Sequence, residues 1–229
     1  MMVVLLRRLR AHPDGRPAEA VLGSCDAAAL ATALATSAKV AVLSVGPPLE
    51  DEALRHALAH GAARAIRVWD PLLAGLDYHA VARVLAAAIR RLPHELVLTG
   101  DMSEDEGQGA IGPAVAEALS LPHITGATWV HWCSPHALVT RREQNLIRTL
   151  RVPSPALVAV RTGPPLPDPV TSSVEIEVLD LAALGIEARE LAHRDRCLGR
   201  PSPVRLHGNP TLLRDPSDLV ARLRAERLL

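Results

Sequence analysis

The chain has 229 residues, with 25 basic and 25 acidic side chains. That length suits one α/β domain of ordinary size plus an extension, and the charge balance favours neither nucleic acid nor an anionic membrane as a partner. Phenylalanine is absent and tyrosine occurs once, which excludes a platform of stacked aromatics for single-stranded nucleic acid.

The opening stretch "MMVVLLRRLRAHPDG" has an apolar run too short to span a membrane, and its arginines follow the run where a signal peptide has its charges first. It is expected to be the first strand of a sheet, with no membrane insertion. Apolar runs then alternate with helical patterns: a helix from Asp26, "KVAVLSV", a helix from Leu49, "AIRVW", a helix from Asp77, "ELVLTG", and a helix entered near Gly107. This alternation predicts a three-layer α/β fold, a mostly parallel sheet with helices on both faces, whose strands are continuously apolar because both faces are covered. In "DYHAVARVLAAAIRRL", Val81, Val84, Leu85, Ala88 and Ile89 recur at helical spacing, so one face packs on the sheet.

After Leu121 the pattern changes. "ITGATWVHW", "HALVTRR", "NLIRTLRV" and "ALVAVR" read as successive strands joined by short turns, which adds an antiparallel ribbon to the parallel unit. The stretch 162–173, "TGPPLPDPVTSS", is rich in proline and is expected as a semi-rigid exposed loop. It divides a nucleotide-binding-like domain, 1–161, from a C-terminal arm, 174–229. The arm ends in a helix that Asp215 or Ser217 caps, with Leu219, Val220, Leu223 and Leu228 on one side. Cys25, Cys133 and Cys197 are odd in number and far apart, which argues against a disulfide framework and for a reducing compartment, the cytoplasm.

In an open α/β sheet, ligands gather beyond the carboxyl ends of the strands, and the segment Gly100 to Gly112 sits at such an end. Gly107 and Gly109 let the backbone approach a ligand, and the free amides of the following helical turn favour an anion. Asp101, Glu104, Asp105 and Glu106 crowd the same segment, and neither a lysine nor a Walker pattern follows. Spacing alone leaves two readings open: a phosphate cradle, or a helix start whose dipole is capped by acids. A magnesium site is weaker still. "VLSVGPP" is a second strand end able to line a pocket. His131, Cys133 and His136 are metal-ligand types without a second cluster, which favours packing over zinc. No nucleophile elbow stands out.

The stretches "VLSVGPPLEDEALRHALAHGAARAIRVWD" and "LVLTG" followed by "GPAVAEALSLPHIT" resemble the β subunit of electron transfer flavoproteins, and "DLVARLRAERLL" resembles that family's closing helix. The resemblance is strongest from about Lys39 to Thr125. It implies a heterodimer with an α subunit that carries most of the site for FAD, while the β subunit holds AMP or, in bifurcating members, a second FAD. It also implies an electron carrier, not a catalyst with its own substrate, which takes electrons from a flavin dehydrogenase and passes them to a quinone reductase.

Carried over residue by residue, the implied cofactor-binding positions are Leu5 and Val45 at strand ends, Gly23, Ser24, Cys25 and Asp26 before and in the first helix, and Asp105, Gly107, Gln108, Gly109, Ala110 and Ile111 in the acidic loop. Gln108 stands where the family usually has a hydroxyl residue, and Ala110 where it has glutamine. Backbone contacts survive such changes, because amides need no particular side chain. A reading from another class is a universal-stress-type adenine-nucleotide-binding homodimer, which predicts nucleotide affinity without a partner.

Overall fold

The computed structural model describes residues 1–9, 20–37, 39–105, 107–191 and 215–227. Glu106, Cys197 and Leu228, each named above, lie outside the described residues. The chain divides into two compact units, Met1–Asp195 and Arg196–Leu229.

In the first unit the strands are β1 (Met2–Leu5), β2 (Val40–Val45), β3 (Arg64–Val68), β4 (Leu96–Gly100), β5 (His123–Cys133), β6 (His136–Glu143), β7 (Leu146–Pro153), β8 (Ala156–Val160) and β9 (Ile176–Leu179). The helices are α1 (Ser24–Thr36), α2 (Asp51–Ala59), α3 (Tyr78–Arg90), α4 (Ile111–Leu119) and the single turn α5 (Leu181–Leu184). The strands form one sheet in the order β7-β6-β5-β8-β4-β1-β2-β3-β9, parallel throughout except for the antiparallel pairs β5–β6 and β6–β7. The α/β fold with a mostly parallel sheet is therefore as the sequence predicts.

The ribbon is shorter than the sequence suggests. β8 leaves it and lies between β5 and β4, parallel to both. Its five residues are all buried, whereas β6 alternates half-exposed and buried positions from His136 to Val139 and has no buried residue beyond. Continuous burial is what a strand covered on both faces requires. β5 serves both halves: its start pairs with β8 and its end with β6, with register shifts beside Gly126.

Two apolar layers flank the sheet. On one face Ala29, Leu30 and Ala33 of α1 and Leu54 and Ala57 of α2 pack against Val4, Val42, Leu98 and Val158. On the other, Val84, Leu85, Ala88 and Ile89 of α3 and Val115 and Ala116 of α4 cover Val3, Leu43, Val97 and Leu157. Each large side chain so removed from water contributes roughly 1.5–3 kcal/mol. Val81 is half-buried at the edge of this stripe. Asp77 caps α3 by accepting from the Ala80 N–H at 2.9 Å.

Residues 162–173 have no regular structure and are mostly exposed. They are nonetheless tied down at two points. The Val170 N–H donates to the Ala59 carbonyl at 2.6 Å, and His60 Nδ1 lies 2.6 Å from the Pro167 carbonyl oxygen. Leu166 packs against the chain's own core. Within the segment 174–229, Ile176–Leu179 forms the edge strand beside β3.

In the second unit, α6 (Pro216–Ala225) is capped by Asp215, whose carboxylate accepts from the Ser217 N–H at 2.6 Å. That bond holds the Asp215 pKa below its ordinary value. None of the α6 residues is buried, and Leu219 and Val220 are exposed. No helix among the described residues is long and apolar enough to cross a membrane.

Candidate functional site

Parallel strands leave their carboxyl ends at one edge of the sheet, and there β1, β2, β3 and β4 open into a cleft of about 660 Å³. Its apolar wall is made by Val45, Trp69, Leu73, Leu76, Tyr78 and Val81. Its polar end is made by Arg7, Asp26, Thr99, Ser103 and the loop from Gln108 to Gly112.

None of the described carboxylates of the acidic loop caps the helix that follows it. α4 begins at Ile111 with Ala110 at its N-cap and no side-chain cap. The carboxylates are used elsewhere. Asp101 accepts from Arg161 Nε and Nη2 through one oxygen, at 2.9 and 2.7 Å, and from the Gly126 N–H through the other, at 2.6 Å. It thereby ties the end of β4 to β5 and to the residue after β8. This hydrogen-bonded pairing raises the Arg161 pKa further. Glu104 accepts from the Ser24 N–H at 2.8 Å and so caps α1, whose own N-cap, Gly23, has no side chain to do it. Asp105 faces Arg7 with a closest N–O distance of 4.0 Å. Of the two readings that spacing left open, hydrogen-bonded capping of the following helix is not what the described acids do: Glu104 holds α1, and Asp101 holds β5 and the segment after β8.

With the acids engaged elsewhere, the backbone of the loop is left for a ligand. The N–H groups of Gly109, Ala110, Ile111 and Gly112 donate to no protein acceptor among the described residues, and all four residues line the cleft. Gly109 must lack a side chain, because a Cβ there would lie 2.6 Å from the Asp101 carbonyl oxygen. Gly100 is equally constrained, since a Cβ would lie 2.2 Å from Asp26 Oδ1. Unpartnered amides at a helix start attract an anion through their dipoles.

Asp26 stands in the first turn of α1 with its carboxyl group set into the polar end of the cleft. The Arg7 N–H donates to it at 3.2 Å and the Gly100 N–H also donates to it. Burial outweighs these donors and the nearby Arg7 charge, and the pKa of Asp26 is pushed up to about 7.

Of the positions carried over from the family, Leu5, Asp26, Val45, Gln108, Gly109, Ala110 and Ile111 line the cleft together. Gly23, Ser24, Cys25, Asp105 and Gly107 are not among the residues lining it. Ser24 is bonded to Glu104, Cys25 Sγ lies 3.6 Å from the Arg161 carbonyl oxygen, and the Gly107 N–H donates to Ser103 O at 3.0 Å. The sequence reading missed Arg7, Trp69, Tyr78 and Thr99. Arg7 and Trp69 follow the ends of β1 and β3, so the strand-end rule applied to every strand, and not to β4 and β2 alone, would have named them.

The metal-ligand types named above lie on the β5–β6 ribbon, with His131 exposed and Cys133 and His136 half-buried. Cys133 Sγ and His136 Nε2 lie 3.7 Å apart across the β5–β6 turn, His131 stacks on Trp129, and no group of three or more metal-ligating side chains is found among the described residues.

Comparison with known proteins agrees with this fold. Residues 17–184 match the family described as "Electron transfer flavoprotein domain". The chain is 31% identical over 166 residues to the electron transfer flavoprotein subunit beta of Methylophilus methylotrophus, a match that takes in 68% of this chain and 63% of that protein. It is 29% identical over 231 residues to the Protein FixA of Azotobacter vinelandii, covering 90% of this chain and 77% of the relative. A further relative, the electron transfer flavoprotein subunit beta of Thermoanaerobacterium thermosaccharolyticum, is 33% identical over 120 residues, which are 52% of this chain and 46% of the relative. The chain thus spans less than two thirds of the length of the first and third of these relatives.

Proposed function

This chain belongs to the electron transfer flavoprotein family, in its β-subunit type, and on that premise we propose that it is one half of a heterodimeric electron carrier of the cytoplasm. The other half is an α-type subunit that holds most of a redox-active FAD. The pair accepts electrons from a flavin dehydrogenase and delivers them to a quinone reductase. FAD supplies the redox chemistry when bound, and this chain's part is to shield and orient it across the subunit contact. The second unit, with its capped and unburied α6, is the arm that reaches the partner.

The cleft is the observation that carries the reading. It joins unpartnered amides, a close backbone approach at Gly109 and an aromatic-lined apolar wall at the strand ends of a family fold. An apolar wall with a few convergent polar groups is the usual form of a small-ligand site. The described lining fits AMP: the base meets the wall of Trp69, Leu73 and Tyr78, and the phosphate meets the amides of 109–112. A second FAD fits less well, because its two phosphates would share one cationic lining residue among those described, Arg7.

Co-expression with an α-type subunit, purification of the complex, and acid release of nucleotides for chromatography test the reading. The expected result is one FAD and one AMP per heterodimer. Failure to form a complex with any α-type subunit overturns the heterodimer, and an isolated homodimer that binds adenine nucleotide tightly would favour the universal-stress type instead. FAD without AMP would show that the cleft of this chain holds no nucleotide.

A further inference from the structure

The polar end of the cleft has a feature beyond the backbone cradle. Arg7 is the one cationic residue among the described residues lining the cleft, and its guanidinium is loosely held. Among the described residues the nearest carboxylate oxygen, on Asp105, is 4.0 Å away, beyond hydrogen-bond distance, and the side chain is 44% exposed. Its backbone, in contrast, is fixed. The Leu6 N–H donates to Leu43 O at 3.0 Å, the Arg7 N–H to Asp26 at 3.2 Å, and the Arg8 N–H to the buried Glu50 carboxylate at 2.8 Å. A fixed root with a free head is what a side chain needs if it is to close on a ligand without reorganising the fold.

We propose that Arg7 is the anion clamp of the cleft: its guanidinium leaves Asp105 and takes the phosphate of a nucleoside monophosphate whose remaining oxygens rest on the amides of 109–112. This rests on the reading of the cleft as an adenine-nucleotide site and adds the side chain that selects for charge. A guanidinium offers a planar fork of donors that matches a phosphate, and such charge-assisted bonds are about twice as strong as neutral ones. Asp105 is then a competitor that keeps Arg7 near the cleft mouth before the ligand arrives. The Asp26 carboxyl beside it is a weak rival below neutrality, because burial pushes its pKa up to about 7.

The test uses the purified heterodimer, stripped of its adenine nucleotide, with AMP and adenosine as separate probes in calorimetric titration. Arg7→Gln should weaken AMP binding about 10- to 100-fold and leave adenosine binding unchanged. Arg7→Lys should retain part of the AMP affinity, since a point charge replaces a fork. Asp105→Asn should tighten AMP a few-fold with no effect on adenosine, because the competitor is removed. The clamp is overturned if Arg7→Gln binds AMP as the wild type does. It is equally overturned if that variant loses AMP and adenosine in the same proportion, which would mark Arg7 as a structural support. A wild-type complex that binds neither probe would sink the nucleotide reading itself, and the clamp with it, and so is distinct from a failure of the clamp alone.

Discussion

The two halves of the sheet solve burial differently. In the parallel half, β1, β4 and β8 lie under helices on both faces, and every residue of β1 and β8 is buried. In the ribbon, β7 runs from Leu146 to Pro153 at the sheet edge with one buried residue, Val152, and Ile147 is 72% exposed. The difference teaches where stability and function reside. The parallel half is a rigid frame whose strand ends and glycines shape the cleft, while the ribbon is a surface element joined to that frame through β5 and the Asp101 bonds. If so, equal truncations in the two halves must have very unequal effects.

The largest effect is expected at the centre of the frame. Leu98 is fully buried in β4, in the layer beneath α1. Leu98→Ala removes its methyl groups and leaves a cavity, at a cost of about 2–5 kcal/mol. Denaturant unfolding measures it, and a cost below about 1 kcal/mol would contradict the close packing described for this layer.

The next effect lies at the joint between the halves. Asp101→Asn keeps the shape but replaces the carboxylate that Arg161 and Gly126 share. Arg161 is largely exposed, which screens its part of the loss, so the cost is expected at about 1–3 kcal/mol, mostly from the Gly126 amide and the forked geometry. Hydrogen exchange should rise at the start of β5 and in the 101–110 loop, while the amides of β1 and β2 stay protected.

A third effect depends on pH. The groups facing the Asp26 carboxyl are Arg7 with its N–H, the Gly100 N–H, and Asp105 from the loop. Burial raises its pKa from 3.8 to about 7, so between these values the folded state binds a proton that the unfolded state has released. Stability from this group therefore falls as pH rises through that window and is level above about 7. Asp26→Asn imitates the protonated form, so its stability relative to the wild type should increase from pH 4 to pH 7 and then stop changing. Parallel pH profiles for the two proteins would refute the buried acid.

The frame was legible in the sequence because its signals are local and periodic. The apolar runs of β1 to β4, and the 3.6-residue stripe of Val84, Leu85, Ala88 and Ile89, follow from burial on both faces of the sheet. Strand order was not legible, since nothing in "ALVAV" says which neighbours it has. Its unbroken burial, against the alternation in "HALVTRRE", was the available hint that it had left the ribbon. In the cleft the glycines of the loop were legible because a close approach restricts residue type. The partners of Asp101 and Glu104 were not: Arg161 lies 60 residues and Ser24 80 residues away along the chain. Arg7 was legible as a residue just past the end of β1, but its nearness to Asp26 and Asp105 was not, because only the folded sheet brings those segments together.

The smallest expected effect is the sharpest test of the contrast. Ile147 sits on the outer strand with most of its side chain already in water. Replacing it by serine removes little buried area, so unfolding of the isolated chain should change by no more than about 0.5 kcal/mol. The same substitution measured in the complex with an α-type subunit asks a separate question. If the ribbon edge remains solvated there, the two measurements agree. If the complex is weakened while the chain alone is not, the exposed edge is covered by the partner, and the ribbon is a contact surface whose apolar residues were retained for that contact. A large loss in the isolated chain would instead mean that β7 is packed in the folded protein, and the division into buried frame and exposed ribbon would fail.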